Sequence, residues 1–473
     1  MSGFFGIASK NDCVMPLLFG VDYHSHLGTK RGGMAIYGEE GFQRSIHNIQ
    51  NSPFRTKFEN DVENFKGNIG IGCISDNEAQ PLLVNSRVGS FAICTVGRIN
   101  NINELRDECF ENGKVQFLEM TKGRLNPTEV VAALINQKTD VVEGLKHAQE
   151  KIDGSMSILL LFPDRIYASR DKYGRTPIIV GKSRNAYCVS FESSAYQNLG
   201  YKYVCDLGPG EIVSITATEL KREKEPNKCM KMCSFLWTYY GYPTATYENI
   251  NVETMRYKCG KMLRKRDDID ADAVAGVPDS GIPHAIGYSN ASGIPYTRPF
   301  IKYTPTWPRS FMPQNQKMRD LVAKMKLLPN SKLTHKQKIV FMDDSIVRGT
   351  QLKDNVVKLL DEGVKEIHMR IACPPLIFPC RFLNFSTSRS TYDLYARRVI
   401  RDMEGGMDNI PDSVFAEYAN PDSTKHKEMV DVMCRHLQLT SLKFQRLDDL
   451  VEAIGLKKEE LCTHCWDNSS YDE

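Results

Sequence analysis

Two adjacent carboxylates, Asp343 and Asp344, end an apolar run in the stretch KIVFMDDSIVRGTQL, and a loop of small residues follows them directly. Ile339 to Met342 predict a buried parallel strand, and the two acids stand at its C-terminal end, where open α/β sheets place ligands. Ser345, Ile346, Val347, Arg348, Gly349 and Thr350 form a loop whose backbone N–H groups and hydroxyls can wrap an anion. The helix expected next, with Leu352, Val356, Val357, Leu359 and Leu360 at core-facing spacing, points its N-terminus at the same place. Paired acids beside an anion loop suit a sugar phosphate: the acids hold cis-diol hydroxyls and help anchor a hydrated Mg²⁺, while the loop takes the phosphate.

A second loop, GVPDSGIPHAIGY, also leaves a strand (Ala273 to Val277) and enters a helix. Asp279, Ser280 and Gly281 lie at its bend. Alone this is a turn signal; beside the first loop it can meet a diphosphate and its metal.

The N-terminus raises a different chemistry. MSGFFGIAS sets Ser2 ahead of a hydrophobic strand, as in enzymes whose own first residue is the nucleophile and whose α-amine is the base. The 14 cysteines are many for a reducing compartment, where disulfides seldom persist. Most stand alone in apolar runs and read as buried thiols. Cys229 and Cys233 in KCMKMC, Cys380 in CPPLIFPC, and Cys462 and Cys465 in LCTHC invite a metal.

Elements must carry these groups. Residues 1 to about 220 alternate short strands (GNIGIGCIS, GSFAICTVG, MSILLLF, RIYASR, AYCVSFES, EIVSIT) with helices such as NPTEVVAALINQ and VVEGLKHAQEKI. A polar stretch near residues 218–232 reads as a linker. Strand–loop–helix units then imply a parallel sheet with covering helices. The expected domains are 1–220 and 221–473. The 473 residues carry a net charge of +3 without a dense basic block, which leaves no case for nucleic acid or a membrane surface. No apolar stretch reaches the length of a span and no secretory h-region follows Met1, so a cytoplasmic protein is expected.

KIVFMDDSIVRGT is similar to the ribose-diphosphate signature of type I phosphoribosyltransferases. Together with VPDSGIP, and with GFFGIAS, NEAQPL, INELR, ASRDKYGRTPIIVGK and DLGPGEIVSI in order, the chain resembles the glutamine phosphoribosylpyrophosphate amidotransferase family over nearly its whole length. The resemblance implies an α+β N-terminal-nucleophile (glutaminase-like) sandwich followed by an α/β type I phosphoribosyltransferase domain. It implies that Asp343, Asp344 and Ser280 approach Mg²⁺ and that Ser345 to Thr350 cradle the 5-phosphate of phosphoribosyl diphosphate. Lys302 and Arg309 fall in the family's mobile loop, which closes over the diphosphate. One branch of the family carries a 4Fe–4S cluster, and Cys233, Cys380, Cys462 and Cys465 occupy its ligand positions; a zinc site or free thiols remain open for the same quartet. Homo-oligomers and purine nucleotide effectors are further implications.

Four departures from the family pattern fall in one pocket, and others in the transferase half. Ser2 replaces the nucleophilic cysteine. Ser75, in GCISDNE, stands for the arginine that clamps the glutamine carboxylate, a charge-assisted contact of roughly 1.5–3 kcal/mol. Val96, in TVGR, stands for the oxyanion-hole asparagine, although Gly97 survives. Pro127 falls where an acid binds the α-amine. The expectation is a retained domain without glutaminase activity, or one with a changed amide substrate in which Arg98 is a relocated clamp. The closing loop reads KYTPTWPRSF, stiffened by Pro305 and Pro308 with Phe311 kept, and RFLNFSTS replaces the family's acceptor-side YGID. Three functions result. The first is an ammonia-dependent transferase making 5-phosphoribosylamine, or aminating with another small amine. The second is a non-catalytic sensor that modulates an active paralogue. The third is a glutamine-dependent enzyme using Ser2.

Overall fold

The computed structural model describes residues 2–473 apart from 77, 113–114, 119, 122, 304–326, 385–389 and 470–473. The N-terminal strand Gly3–Ser9 (GFFGIAS) has no polar alternation, and it is buried along its whole length. It lies in the middle of a seven-stranded antiparallel sheet ordered Lys202–Asp206, Ile179–Lys182, Ala186–Ser190, Gly3–Ser9, Ile69–Ser75, Arg31–Gly38, Gly41–Asn48. On the outer face the helix Val14–Asp22 comes so close that a Cβ at Gly20 would stand 2.4 Å from the Phe5 ring.

A six-stranded antiparallel sheet packs on the inner face, ordered Leu220–Lys224, Ile212–Ile215, Ile166–Ser169, Gly154–Leu161, Gly89–Ile99, Leu82–Ser86. Its alternate residues divide between two cores. Cys94, Leu159 and Leu161 join the core between the sheets, whereas Ile93, Ile158 and Leu160 face the helices Pro127–Asn136 and Val141–Lys151. Asn126 and Asp140 cap these helices by accepting from the Thr128 and Glu143 N–H groups. The result is a helix–sheet–sheet–helix sandwich. The expected linker from residue 218 begins with its edge strand Leu220–Lys224.

The second half centres on a four-stranded parallel sheet ordered Ala273–Gly276, Lys338–Asp343, Glu366–Ile371, Ser441–Phe444. The helices Val252–Lys265 and Gly281–Ser292 cross closely, because a Cβ at Gly260 would stand 2.0 Å from the His284 carbonyl oxygen. In the helix Thr350–Asp361, Leu352, Val356 and Leu359 are buried. Val357 and Leu360 are exposed, so the apolar stripe is narrower than expected. Met232–Cys233 pairs in parallel with Leu461–Cys462, fastening the chain's last segment to the entry of this half. Among the described residues no helix is long and apolar enough to cross a membrane.

Candidate functional site

The carboxyl ends of two neighbouring parallel strands bring the expected loops together. The Ser280 hydroxyl donates to Asp344 Oδ1, and the Ser345 hydroxyl donates to Asp344 Oδ2 at 2.6 Å. The Asp344 N–H donates to Asp343 Oδ1 at 3.0 Å. A Cβ on Gly281 would stand 2.2 Å from the Met342 carbonyl oxygen, so glycine lets the second loop lie against the first strand. Lys302 leaves the strand Phe300–Lys302 and forms an ion pair with Asp279. Arg309, Pro305, Pro308 and Phe311 lie outside the described residues.

The electrostatics of this edge are those of two buried, neighbouring acids. Burial, followed by repulsion from Asp344, raises Asp343 well above the usual carboxylate range. Burial also raises Asp344, while the Ser280 and Ser345 hydroxyls pull it back. Two carboxylates and a hydroxyl form an all-oxygen donor set suited to a hard divalent ion. Behind them sits Arg256, 2% exposed, whose guanidinium donates to the carbonyls of Trp237, Tyr239 and Gly241 at 2.8–2.9 Å. Its charge acts on Asp344. Sequence reasoning passed over this residue, because a lone arginine in the helix Val252–Lys265 carries no motif.

In the loop after Asp344, Gly349 has φ +76° and starts the helix Thr350–Asp361. Among the described residues, the amide N–H groups of Ile346 to Gly349 meet no protein acceptor. Such a run of donors at a helix N-terminus is chemically able to hold an anion.

The N-terminal pocket also assembles, with altered contents. Ser2 Oγ donates to Ser75 Oγ at 3.3 Å, and Ser75 accepts the Glu78 N–H at 3.2 Å. Ser75 and Val96 are 1% and 2% exposed, which leaves no cationic clamp at the first position and no amide donor at the second. Gln80 exchanges hydrogen bonds with the Thr95 backbone, and Asn126 donates to the Ala79 carbonyl, so the strand before Val96 and the helix opened by Pro127 border the same loop. Gly97, at φ +154°, keeps its place because a Cβ would fall 1.8 Å from the Ser155 carbonyl oxygen. Arg98 turns away from this pocket: its Nη1 donates to the Cys380 carbonyl at 2.8 Å, and Asn384 donates to the Gly97 carbonyl at 3.2 Å.

Cys233, Cys380, Cys462 and Cys465 line one small cavity together with Arg175, Phe235, Phe382, Leu383 and Trp466. Cys229 is exposed and stays apart from it. A hydrogen bond from Cys465 brings the Cys380 thiol down to about 7, and the same contact together with burial raises Cys465. The Ile377 and Phe378 N–H groups donate to the Cys465 carbonyl at 3.2 and 3.1 Å, and the Ser234 N–H donates to that of Cys462 at 3.3 Å. Among the described residues, no three His, Cys, Asp or Glu side chains are grouped as a single metal ion requires.

This arrangement has clear counterparts. The family model described as a glutamine amidotransferase domain matches residues 68–198. The amidophosphoribosyltransferase of Methanocaldococcus jannaschii is 32% identical over 414 residues, 81% of this chain and 86% of the relative. That of Methanothermobacter thermautotrophicus is 32% identical over 425 residues, 86% and 80% of the two chains. Among solved structures, the glutamine phosphoribosylpyrophosphate amidotransferase from B. subtilis complexed with ADP and GMP superposes with a TM-score of 0.84 at 25% identity, covering 99% of this chain and 96% of that one. With both halves matched in order and at this coverage, the chain belongs to the amidophosphoribosyltransferase family.

Proposed function

We propose that this chain binds phosphoribosyl diphosphate with Mg²⁺ and transfers ammonia, or another small amine, to the anomeric carbon with release of diphosphate, without hydrolysing glutamine. The observation that carries this reading is the convergence, at the carboxyl ends of two parallel strands, of Asp343, Asp344, Ser280 and the amides of Ile346 to Gly349, which meet no acceptor among the described residues. The loop Ser345 to Thr350 holds the 5-phosphate. Asp343 and Asp344 take the ribose hydroxyls and face the positive charge that builds at the anomeric carbon as its bond to diphosphate breaks. Asp279, Ser280 and Gly281 receive the diphosphate, and Lys302 and Arg309 neutralise it as it leaves. Mg²⁺, when bound to Asp343, Asp344 and Ser280, supplies further charge neutralisation. The amine attacks the anomeric carbon and then gives its proton to solvent. Positioning and electrostatics suffice for such a displacement.

The N-terminal pocket supports the second half of the proposal. Ser2 meets a serine where the family clamps a carboxylate, and Val96 supplies no donor to an oxyanion. Loss of one such donor alone costs about 10²–10³ in rate. The test is diphosphate release with ammonium or with glutamine as nitrogen source. Ammonium-supported release that Asp343→Asn abolishes and Ser2→Ala leaves intact is the expected result. Glutamine-supported release lost in Ser2→Ala would overturn the glutaminase reading. A sensor reading draws support from Lys302, already paired with Asp279, and tight ligand binding without turnover would establish it.

The four thiols line one cavity, which supports reading them as the ligands of a 4Fe–4S cluster, with a zinc ion or free thiols as the alternatives. The cluster, when bound, cross-links segments far apart in sequence. Iron and sulfide content of protein purified without oxygen tests this. Purine nucleotides as effectors, which the bound ADP and GMP of the B. subtilis protein suggest, and a homo-oligomer complete the proposal.

A further inference from the structure

An anion cradle works only if each peptide is turned with its N–H inward, and each outward carbonyl then needs a partner of its own. In this loop the Val347 and Arg348 carbonyls take their partners from one remote segment. The Val347 carbonyl accepts the Tyr395 N–H at 2.8 Å. The Arg348 carbonyl accepts Arg398 Nη2 at 2.6 Å. The same guanidinium donates through Nη1 to the Tyr392 and Asp393 carbonyls at 3.3 and 3.2 Å, so it bridges the phosphate loop to the turn Thr391–Asp393. The Arg348 side chain returns the contact, 3.8 Å from Asp393. The buried Tyr395 ring lies against Gly349, where a Cβ would come within 3.0 Å of it. The pattern sits at the start of the helix Tyr395–Met403, and nothing in the motif KIVFMDDSIVRGT announces it.

We infer that Arg398 and Tyr395 are positioning residues that hold the loop Ser345 to Thr350 with its amides facing the 5-phosphate, so that this segment sets affinity for the phosphate end of the substrate. The inference rests on the ribose-phosphate reading of the site. Arg398 does not meet the anion itself; its donors are engaged by three carbonyls. A planar fork with several fixed donors can span those carbonyls, whereas the three donors of a lysine radiate from one nitrogen and lack that spread. Without the fork the Arg348–Gly349 peptide loses its carbonyl partner and is free to rotate, while the Tyr395 N–H still holds the Val347 carbonyl, and that part of the cradle must be rebuilt at each binding event.

The experiment uses the full chain, with ribose 5-phosphate and Mg-diphosphate as probes for the two ends of the substrate, titrated calorimetrically. For Arg398→Ala, affinity for ribose 5-phosphate is expected to fall about tenfold, the scale of one charge-assisted hydrogen bond, while affinity for Mg-diphosphate stays within about twofold. Arg398→Lys recovers part of the loss and carries the same comparison if Arg398→Ala does not fold. With ammonium as nitrogen source, the variants raise KM for phosphoribosyl diphosphate while kcat changes little. A wild-type chain that binds both probes, with variants that lose both equally or lose neither, overturns this inference alone. A wild-type chain that binds neither probe overturns the ribose-phosphate reading beneath it.

Discussion

At Gly281 a hydrogen atom is the largest side chain the site admits, because the Met342 carbonyl oxygen stands 2.2 Å from where a Cβ would be. That contact lets the loop Asp279 to Gly281 lie beside the acids, so Ser280 reaches Asp344. Gly281→Ala must push the two strand ends apart. It is expected to cost about 1–3 kcal/mol, the range for overpacking a tight site, and to weaken Mg-diphosphate binding more than ribose 5-phosphate binding. Thermal unfolding and titration of the two probes check both parts; unchanged diphosphate affinity would count against the loop's role. The same close reading applies to Ser75. A serine that is 1% exposed and bonded to Ser2 belongs to a settled polar contact, and an arginine introduced there would have to displace it.

Elements were the most legible level of this chain. Val130, Val131, Leu134 and Ile135 give the helix Pro127–Asn136 its buried face, and the unbroken apolar runs at Ile69–Ser75 and Lys338–Asp343 became interior strands. Periodicity could not say how wide a face the neighbours would cover. Leu352, Val356 and Leu359 meet the sheet, while Val357 and Leu360 fall just outside its reach. Contacts between distant elements were less legible still. Arg398 and Arg256 act through backbone carbonyls, which every residue has, so no residue pattern marks the partner. The cysteines were readable as a set only through the family's spacing, and the parallel pairing of Met232–Cys233 with Leu461–Cys462 shows what brings them together. That strap is two residues long in each strand, too short to hold by its backbone bonds alone. Cys462→Ser is therefore expected to release the last segment, exposing the chain beyond Leu461 to limited proteolysis while the N-terminal sandwich stays protected. Equal resistance in wild type and variant would mean that Trp466 packing, not the thiols, holds the end in place.

At the scale of the whole molecule, the two halves are joined by polar contacts, exposed on one side and largely buried on the other. Arg98 and Asn384 link the strand Gly89–Ile99 to the Cys380 segment. The hairpin Thr246–Asn251 inserts on the other side: the Tyr247 hydroxyl donates to the fully buried Glu192 at 2.6 Å, and Glu248 pairs with the fully buried Arg170 at 2.8 Å. Glu248 lies within electrostatic reach of Asp206, on the edge strand Lys202–Asp206, whose carboxylate accepts the Tyr203 hydroxyl at 2.7 Å. Burial, and then the Glu248 charge, raise Asp206 to about 6. The folded chain therefore binds this proton more tightly than the unfolded chain does. Its contribution to stability is complete at pH below the unfolded value near 4 and is lost as pH rises through about 6. At pH 7.5 the seam holds an ionised Asp206 beside Glu248, and Asp206→Asn relieves that repulsion while keeping an acceptor for Tyr203. The variant is expected to be more stable than wild type by about 1–3 kcal/mol at pH 7.5, with the gain shrinking toward zero near pH 4. Urea unfolding at the two pH values measures it. A gain that does not depend on pH would show that the Asp206 proton is not what the seam responds to.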